Sequence, residues 1–205
     1  MNGFYGECLR LEIFGQSHAE SVGMTLEGVP AGARVDFDAL LHFMQRRAPG
    51  RSEYATARRE ADVPEFTSGL CGGEADGTPI TAVIRNTDVR PRDYDALRTV
   101  PRPGHADYSA WLRYGSIPTG GGEFSGRMTA PLCIAGGICL QLLENEGVSI
   151  RARVNEIGGA HDEKAMHDKI MQAKAEGEHA LGYTCYFVPE TLLNLPGCFS
   201  SRLRA

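Results

Sequence analysis

Two histidines in turns are the residues of this chain best suited to moving protons. His18 lies in Gly15-Gln16-Ser17-His18-Ala19, directly after an apolar stretch, and His105 lies in Arg102-Pro103-Gly104-His105-Ala106-Asp107-Tyr108. Imidazole titrates closer to neutral pH than any other side chain, so it can give or take a proton at little cost. A lone turn histidine is more often a surface or capping group. Two of them beside arginines are harder to dismiss. Pro103 and Gly104 restrict the backbone and so aim His105, and Asp107 or Tyr108 is near enough in sequence to orient its ring.

Two further segments have the makings of an anion site. In GGGEFSGR, residues 120–127, Gly120, Gly121 and Gly122 let a ligand come close to the backbone. The segment leads into an apolar helix, whose first N–H groups favour negative charge, and Ser125 and Arg127 add a hydroxyl and a full positive charge. The plain alternative is a flexible turn. Neither GxGxxG nor the Walker pattern occurs, so nothing supports a dinucleotide fold or an ATPase. Arg46-Arg47-Ala48-Pro49-Gly50-Arg51-Ser52, followed by Arg58-Arg59, sets three arginines around one turn. They can clamp a phosphate and a carboxylate, or simply end a solvated helix where cations suit the dipole.

The charge balance points the same way. A formal net charge of −5 argues against generic nucleic-acid binding. Lys164, Lys169 and Lys174 are the only three lysines among 21 basic residues; the rest are arginines, most of them between Arg46 and Arg127. Guanidinium grips oxyanions with two hydrogen bonds at once. An acidic chain with an arginine-rich stretch suits a local oxyanion site, with solvated salt bridges as the alternative. The six cysteines form no CxxC pair, so neither a disulfide scaffold nor a zinc site is expected; Cys133 and Cys139 read as buried thiols.

The elements that must position these residues follow from periodicity. Residues 8–14 read as a strand, and Phe37, Leu40, Leu41 and Met44 form one face of a helix capped by Asp36 and ended by Pro49-Gly50. Residues 79–85 read as a strand followed by a long irregular region, and 127–146 as an apolar helix stopped by Gly147. A strand at 148–154 and an amphipathic helix at 162–176 complete the pattern. Mixed elements give an α/β or α+β layered fold. At 42% hydrophobic and 23% charged, the composition is that of a soluble globular protein. No apolar run of about 20 residues suggests a membrane span, and no secretory leader is expected, which leaves the cytoplasm as the expected compartment.

Taken in order, these segments resemble chorismate synthase. GQSHA at 15–19 matches the family's GESHG-type turn, and GVPAG at 28–32, RRAPG at 46–50 and TARRE at 56–60 follow as they do there. SGL at 68–70, DGTPI at 76–80, NTDVRPRDY at 86–94, RPGHADY at 102–108 and GGGEFSGRMTAPLCIAGGI at 120–138 continue the series. The ordered run, over about residues 7–177, is far more specific than any one motif.

The resemblance implies an α+β, layered β-α-β sandwich, incomplete here at its C-terminus, and a lyase. The implied reaction is 1,4-elimination of phosphate from 5-enolpyruvylshikimate 3-phosphate, giving chorismate, with reduced FMN supplied by a separate flavin reductase. It implies a homotetramer. Carried over, His18 donates a proton toward the departing phosphate and His105 sits against the flavin. Ser17, Arg46, Arg47, Arg51 and Arg127 bind substrate anions, and Ser125 and Gly122 join His105 at the cofactor. Two departures stand out: Glu123-Phe124-Ser125 where relatives often carry Arg-Ser-Ser, and Glu53 where many carry arginine. Residues 1–177 are expected to be the N-terminal part of one domain. The tail at 178–205 reads either as a closing strand and loop or as divergent sequence at a truncation or frameshift. A non-catalytic anion- or flavin-binding piece of the same fold is the alternative function.

Overall fold

The computed structural model describes residues 3–5, 8–48, 50, 60–87, 100–102, 105–177 and 183–189. They fall in two units, residues 1–141 and 142–205.

The first unit is built on an antiparallel sheet. Its strands are β1 (Gly3–Tyr5), β2 (Arg10–Gly15), β3 (Ser21–Glu27), β4 (Glu65–Ser68) and β7 (Ile80–Arg85), in the order β1-β2-β3-β7-β4. The short β5 (Leu70–Cys71) and β6 (Glu74–Ala75) pair with each other. Period-two alternation puts Val22, Met24 and Leu26 of β3 on one face, opposite Ile84, Ala82 and Ile80 of β7, and all six are buried. A bulge between Phe66 and Ser68 bends the edge strand β4.

Helix α1 (Phe37–Arg47) forms where the 3.6-residue period predicts it, and the Asp36 side chain accepts from Ala39 N–H at 3.0 Å as its N-cap. Helix α2 (Asp107–Tyr114) lies within the stretch expected to be irregular, and ends on Gly115 in the left-handed conformation. Helix α3 (Thr129–Asn145) buries Ala130, Ile134 and Ile138. It runs against α1 in the opposite sense: Gln141 exchanges two hydrogen bonds with the Asp36 backbone, while Arg47 at the other end of α1 donates to Thr129. Gly137 permits this approach, since a Cβ there would meet Leu40 Cδ1 at 2.5 Å. The stretch Gly126–Asn145 is long and apolar enough to cross a membrane by length and composition. Of it, Ala130, Pro131, Ile134, Ala135, Gly137 and Ile138 are buried. Burial pushes the Cys133 and Cys139 thiols above their ordinary value, which disfavours thiolate chemistry.

The second unit contains β8 (Ile150–Ile157), α4 (Glu163–Glu176) and β9 (Tyr183–Pro189). Asp162 caps α4 and Gly177 ends it. Strand β9, within the tail at 178–205, pairs antiparallel with β8. Helices together with antiparallel sheets make the fold α+β, as the sequence predicts.

Candidate active site

The turn after β2 carries Ser17 and His18. Ala19 N–H donates to Gln16 C=O at 3.1 Å and closes it. Ser17, 1% exposed, is tied to the glycine segment twice: its N–H donates to Gly122 C=O at 3.3 Å and its hydroxyl to Gly120 C=O at 3.4 Å. Gly120, Gly121 and Gly122 all have positive φ, at 66°, 99° and 53°. Other residues resist that conformation, and here there is no room for one either. A Cβ at Gly120 would overlap the His18 ring. One at Gly121 would come within 2.9 Å of both Cε1 and Nε2 of His105. Loops about a hundred residues apart in the chain therefore bring the two imidazoles against consecutive glycines of one turn. Gly120→Ala is expected to displace the His18 ring and, through the unfavourable φ, to destabilise the unit by about 1–2 kcal/mol; chemical denaturation and a histidine NMR spectrum check both parts.

Behind His105 stands Asp107, fully buried at the start of α2. His105 Nδ1 lies 2.7 Å from Asp107 Oδ1 and 3.4 Å from Arg102 Nη2. The two contacts ask for opposite tautomers, because a guanidinium only donates and a carboxylate only accepts. The Arg102 contact is the one aligned as a hydrogen bond, and in it Nδ1 accepts; the Asp107 carboxylate stands beside the ring at ion-pairing distance, and Nε2 and Cε1 lie toward Gly121. Of the two residues proposed to orient the ring, Asp107 does so; Tyr108 is exposed and stacks on Trp111. Arg102 donates to Asp107 from its backbone N at 3.0 Å, from Nε at 2.7 Å and from Nη2 at 2.9 Å. These bonds hold the Asp107 carboxyl well below the usual carboxylate range, against the opposing effect of burial. Because the folded value is depressed, the stability it contributes is fully present above a pH of about 4 and is lost as the pH falls further.

Among the described residues the arginines do not converge on one open clamp. Arg46 is exposed, with its guanidinium 5.7 Å from the centre of the Phe43 ring. Arg47, one residue and 100° further around α1, turns inward. It pairs with Asp62 at 2.5 Å, and donates to Thr129 Oγ1 at 3.1 Å and to Gly126 C=O at 3.3 Å. The Arg127 side chain is 2% exposed. Its Nη1 pairs with the other oxygen of Asp62, and its Nε donates to Asn86 Oδ1 at 3.1 Å. Its Nη2 is 3.1 Å from Glu60 Oε2, close enough for charge pairing but out of line for a hydrogen bond. Two guanidinium groups thus face two carboxylates. Arg51 lies outside the described residues, as do Glu53, Arg58, Arg59, Pro103 and Gly104.

Ser125 caps the turn before α3, accepting from Arg127 N–H at 3.2 Å. Glu123, the departure in the glycine segment, accepts from the Tyr114 hydroxyl; desolvation first, and then this carboxylate, push the phenol above its ordinary value.

A family model described as chorismate synthase matches residues 9–183. The chain belongs to the chorismate synthase family. It is 49% identical over 165 residues to the chorismate synthase of Lancefieldella parvula, covering 79% of this chain and 43% of that protein. Identity to the Porphyromonas gingivalis protein is 44% over 154 residues, covering 75% of this chain and 42% of the relative. A crystal structure of chorismate synthase matches with a TM-score of 0.53 at 25% identity, over 77% of this chain and 41% of that one. The chain therefore spans less than half the length of the chorismate synthases it matches.

Sequence reasoning missed Glu60, Asp62 and Asn86 as members of the site. The TARRE and NTDVRPRDY motifs flagged Glu60 and Asn86 without a role. Asp62 carried one local signal, a lone acid set among apolar Ala61, Val63 and Pro64 just beyond the arginine-rich turn.

Proposed function

We propose that this chain is the N-terminal portion of a lyase that converts 5-enolpyruvylshikimate 3-phosphate to chorismate and phosphate by 1,4-elimination in the shikimate pathway. The observation that carries this reading is the placement of His18 and His105 against consecutive glycines of one turn, with a buried carboxylate behind His105. Two proton-handling groups at one spot suit a reaction that breaks a carbon–oxygen bond to phosphate and removes a ring hydrogen. His18 gives a proton to the departing phosphate. The phosphate and carboxylates fall to Ser17, Arg46, Arg47 and Arg51, of which Arg47 meets an anion only by leaving Asp62 and Arg46 only by turning from its outward place over Phe43. Arg127 reaches a bound anion only if Glu60 or Asp62 gives way, since protein acceptors already face its fork.

The residues also fit the edge of a reduced flavin. At the glycine turn the His105 ring lies against Gly121, and an accepting Ser125 hydroxyl keeps its hydrogen for donation. His105, Ser125 and the Gly122 backbone would hold the ring. Reduced FMN, when bound, supplies electron density to the breaking bond. Asp107 stands behind the His105 ring at ion-pairing distance from Nδ1, with Nε2 on the side of the glycine turn. The rest of the flavin site, a homotetramer and a separate flavin reductase in the cytoplasm belong to this proposal through the family.

The coverage of 43% of the Lancefieldella protein favours a second reading, a non-catalytic piece that binds anions or flavin without turnover. Anaerobic titration of the purified chain with reduced FMN and 5-enolpyruvylshikimate 3-phosphate decides between them. Flavin binding with chorismate formation supports the lyase, and binding alone supports the second reading. Binding of neither removes both.

A further inference from the structure

One side chain fastens the His18 turn to the strand beside it. Asn86, just past β7, donates from Nδ2 to Gln16 C=O at 3.0 Å and to Ala19 C=O at 2.8 Å. Its backbone N–H donates to Glu20 C=O at 2.9 Å. Its Oδ1 accepts from Arg127 Nε at 3.1 Å. Arginine has no acceptor, so this last contact fixes which end of the carboxamide is oxygen and commits both amide hydrogens to the turn.

Gln16 and Ala19 are the two ends of the turn that contains Ser17 and His18. A group that grips both ends sets the path of the residues between them. Only a short carboxamide does this while accepting from Arg127: aspartate has no donors, serine has one, and glutamine is a methylene longer.

We propose that Asn86 is a positioning residue for His18. Its carboxamide holds the turn in the geometry that lays the His18 imidazole against Gly120, and Arg127 holds the carboxamide. The buried Arg127 network therefore acts on the proton donor through Asn86, whether or not Arg127 ever meets a ligand. The importance of that role rests on His18 being the proton donor.

Asn86→Ala and Asn86→Asp in the full 205-residue chain test the proposal. The readouts are the ring C–H NMR signals of His18, His105 and His161, amide hydrogen exchange at Ala19, and the urea midpoint. Both variants should expose the Ala19 amide to exchange about tenfold faster or more. Both should move the His18 ring signal and leave those of His105 and His161 in place. Asn86→Asp keeps a partner for Arg127 and the same shape, so it tests the two donated bonds even where Asn86→Ala does not fold. Unchanged Ala19 exchange and an unchanged His18 signal in Asn86→Asp overturn the proposal. So does a uniform movement of all three histidine signals with a fallen urea midpoint, which marks a merely structural part. Neither turnover nor flavin enters these measurements, so a failed lyase assay leaves the result standing.

Discussion

Replacing Asp62 with alanine is expected to destabilise the 1–141 unit by about 3–5 kcal/mol, the usual cost of removing one member of a buried ion pair. Asp62 is 2% exposed and holds Arg47 with one carboxylate oxygen and Arg127 with the other. Without it, Glu60 is the one carboxylate left facing the buried Arg127 among the described residues, and that contact is poorly aligned. Strain works in the opposite direction. Asp62 sits at φ 51°, a left-handed conformation worth about 1–2 kcal/mol to a residue with a Cβ. That is smaller than the lost pairing, so Asp62→Gly should also destabilise, by about 1 kcal/mol less than Asp62→Ala. The chain has a single tryptophan, Trp111, and it lies in this unit, so urea unfolding followed by its fluorescence reads the unit directly. A loss under about 1 kcal/mol in Asp62→Ala would mean that water or another acid reaches Arg127 easily, contrary to its burial.

His18→Ala and His105→Ala should each reduce turnover by about a hundredfold or more in a protein that forms chorismate, the usual contribution of a placed general acid. The two should differ in a companion substitution. Asp107→Asn removes the negative charge that stands 2.7 Å from His105 Nδ1 and weakens the hold of Arg102 on that position. It should reproduce much of the His105→Ala defect and leave the step served by His18 alone. Steady-state turnover and the rate of phosphate release, measured side by side, separate the two histidines. Rates close to the parent's in both alanine variants would remove them from the chemistry and, with them, the reading of the glycine turn as the reacting place.

Much of the local structure was legible in advance. Helix α1 has its Asp36 cap and buries Leu40 and Met44 of the expected face, and α4 forms at Glu163–Glu176 within the expected 162–176, because caps and periodicity are written within about four residues of where they act. Strand β3 carries its signal too, with Val22, Met24 and Leu26 alternating in SVGMTLE, although it is not among the expected strands; Gly23, on the other face, leaves space for the Phe14 ring on β2. Helix α2 was not legible. Helix α2 follows a proline-rich stretch, and its residue Asp107 is occupied as much by Arg102 and His105 as by the helix.

The sequence alone determined the kinds of chemistry at hand: two turn imidazoles, a glycine segment, an arginine-rich stretch, and an order of motifs specific enough to place the chain in its family. Tertiary structure decided how the charges were distributed. Arg46 and Arg47 are neighbours in sequence, yet the helix sends one outward and the other inward, and Arg127 meets an acid 65 residues away. Periodicity records which side of an element is apolar, because that is a property of the element. Which carboxylate neutralises which guanidinium depends on where separate elements come to rest, and no local pattern records it.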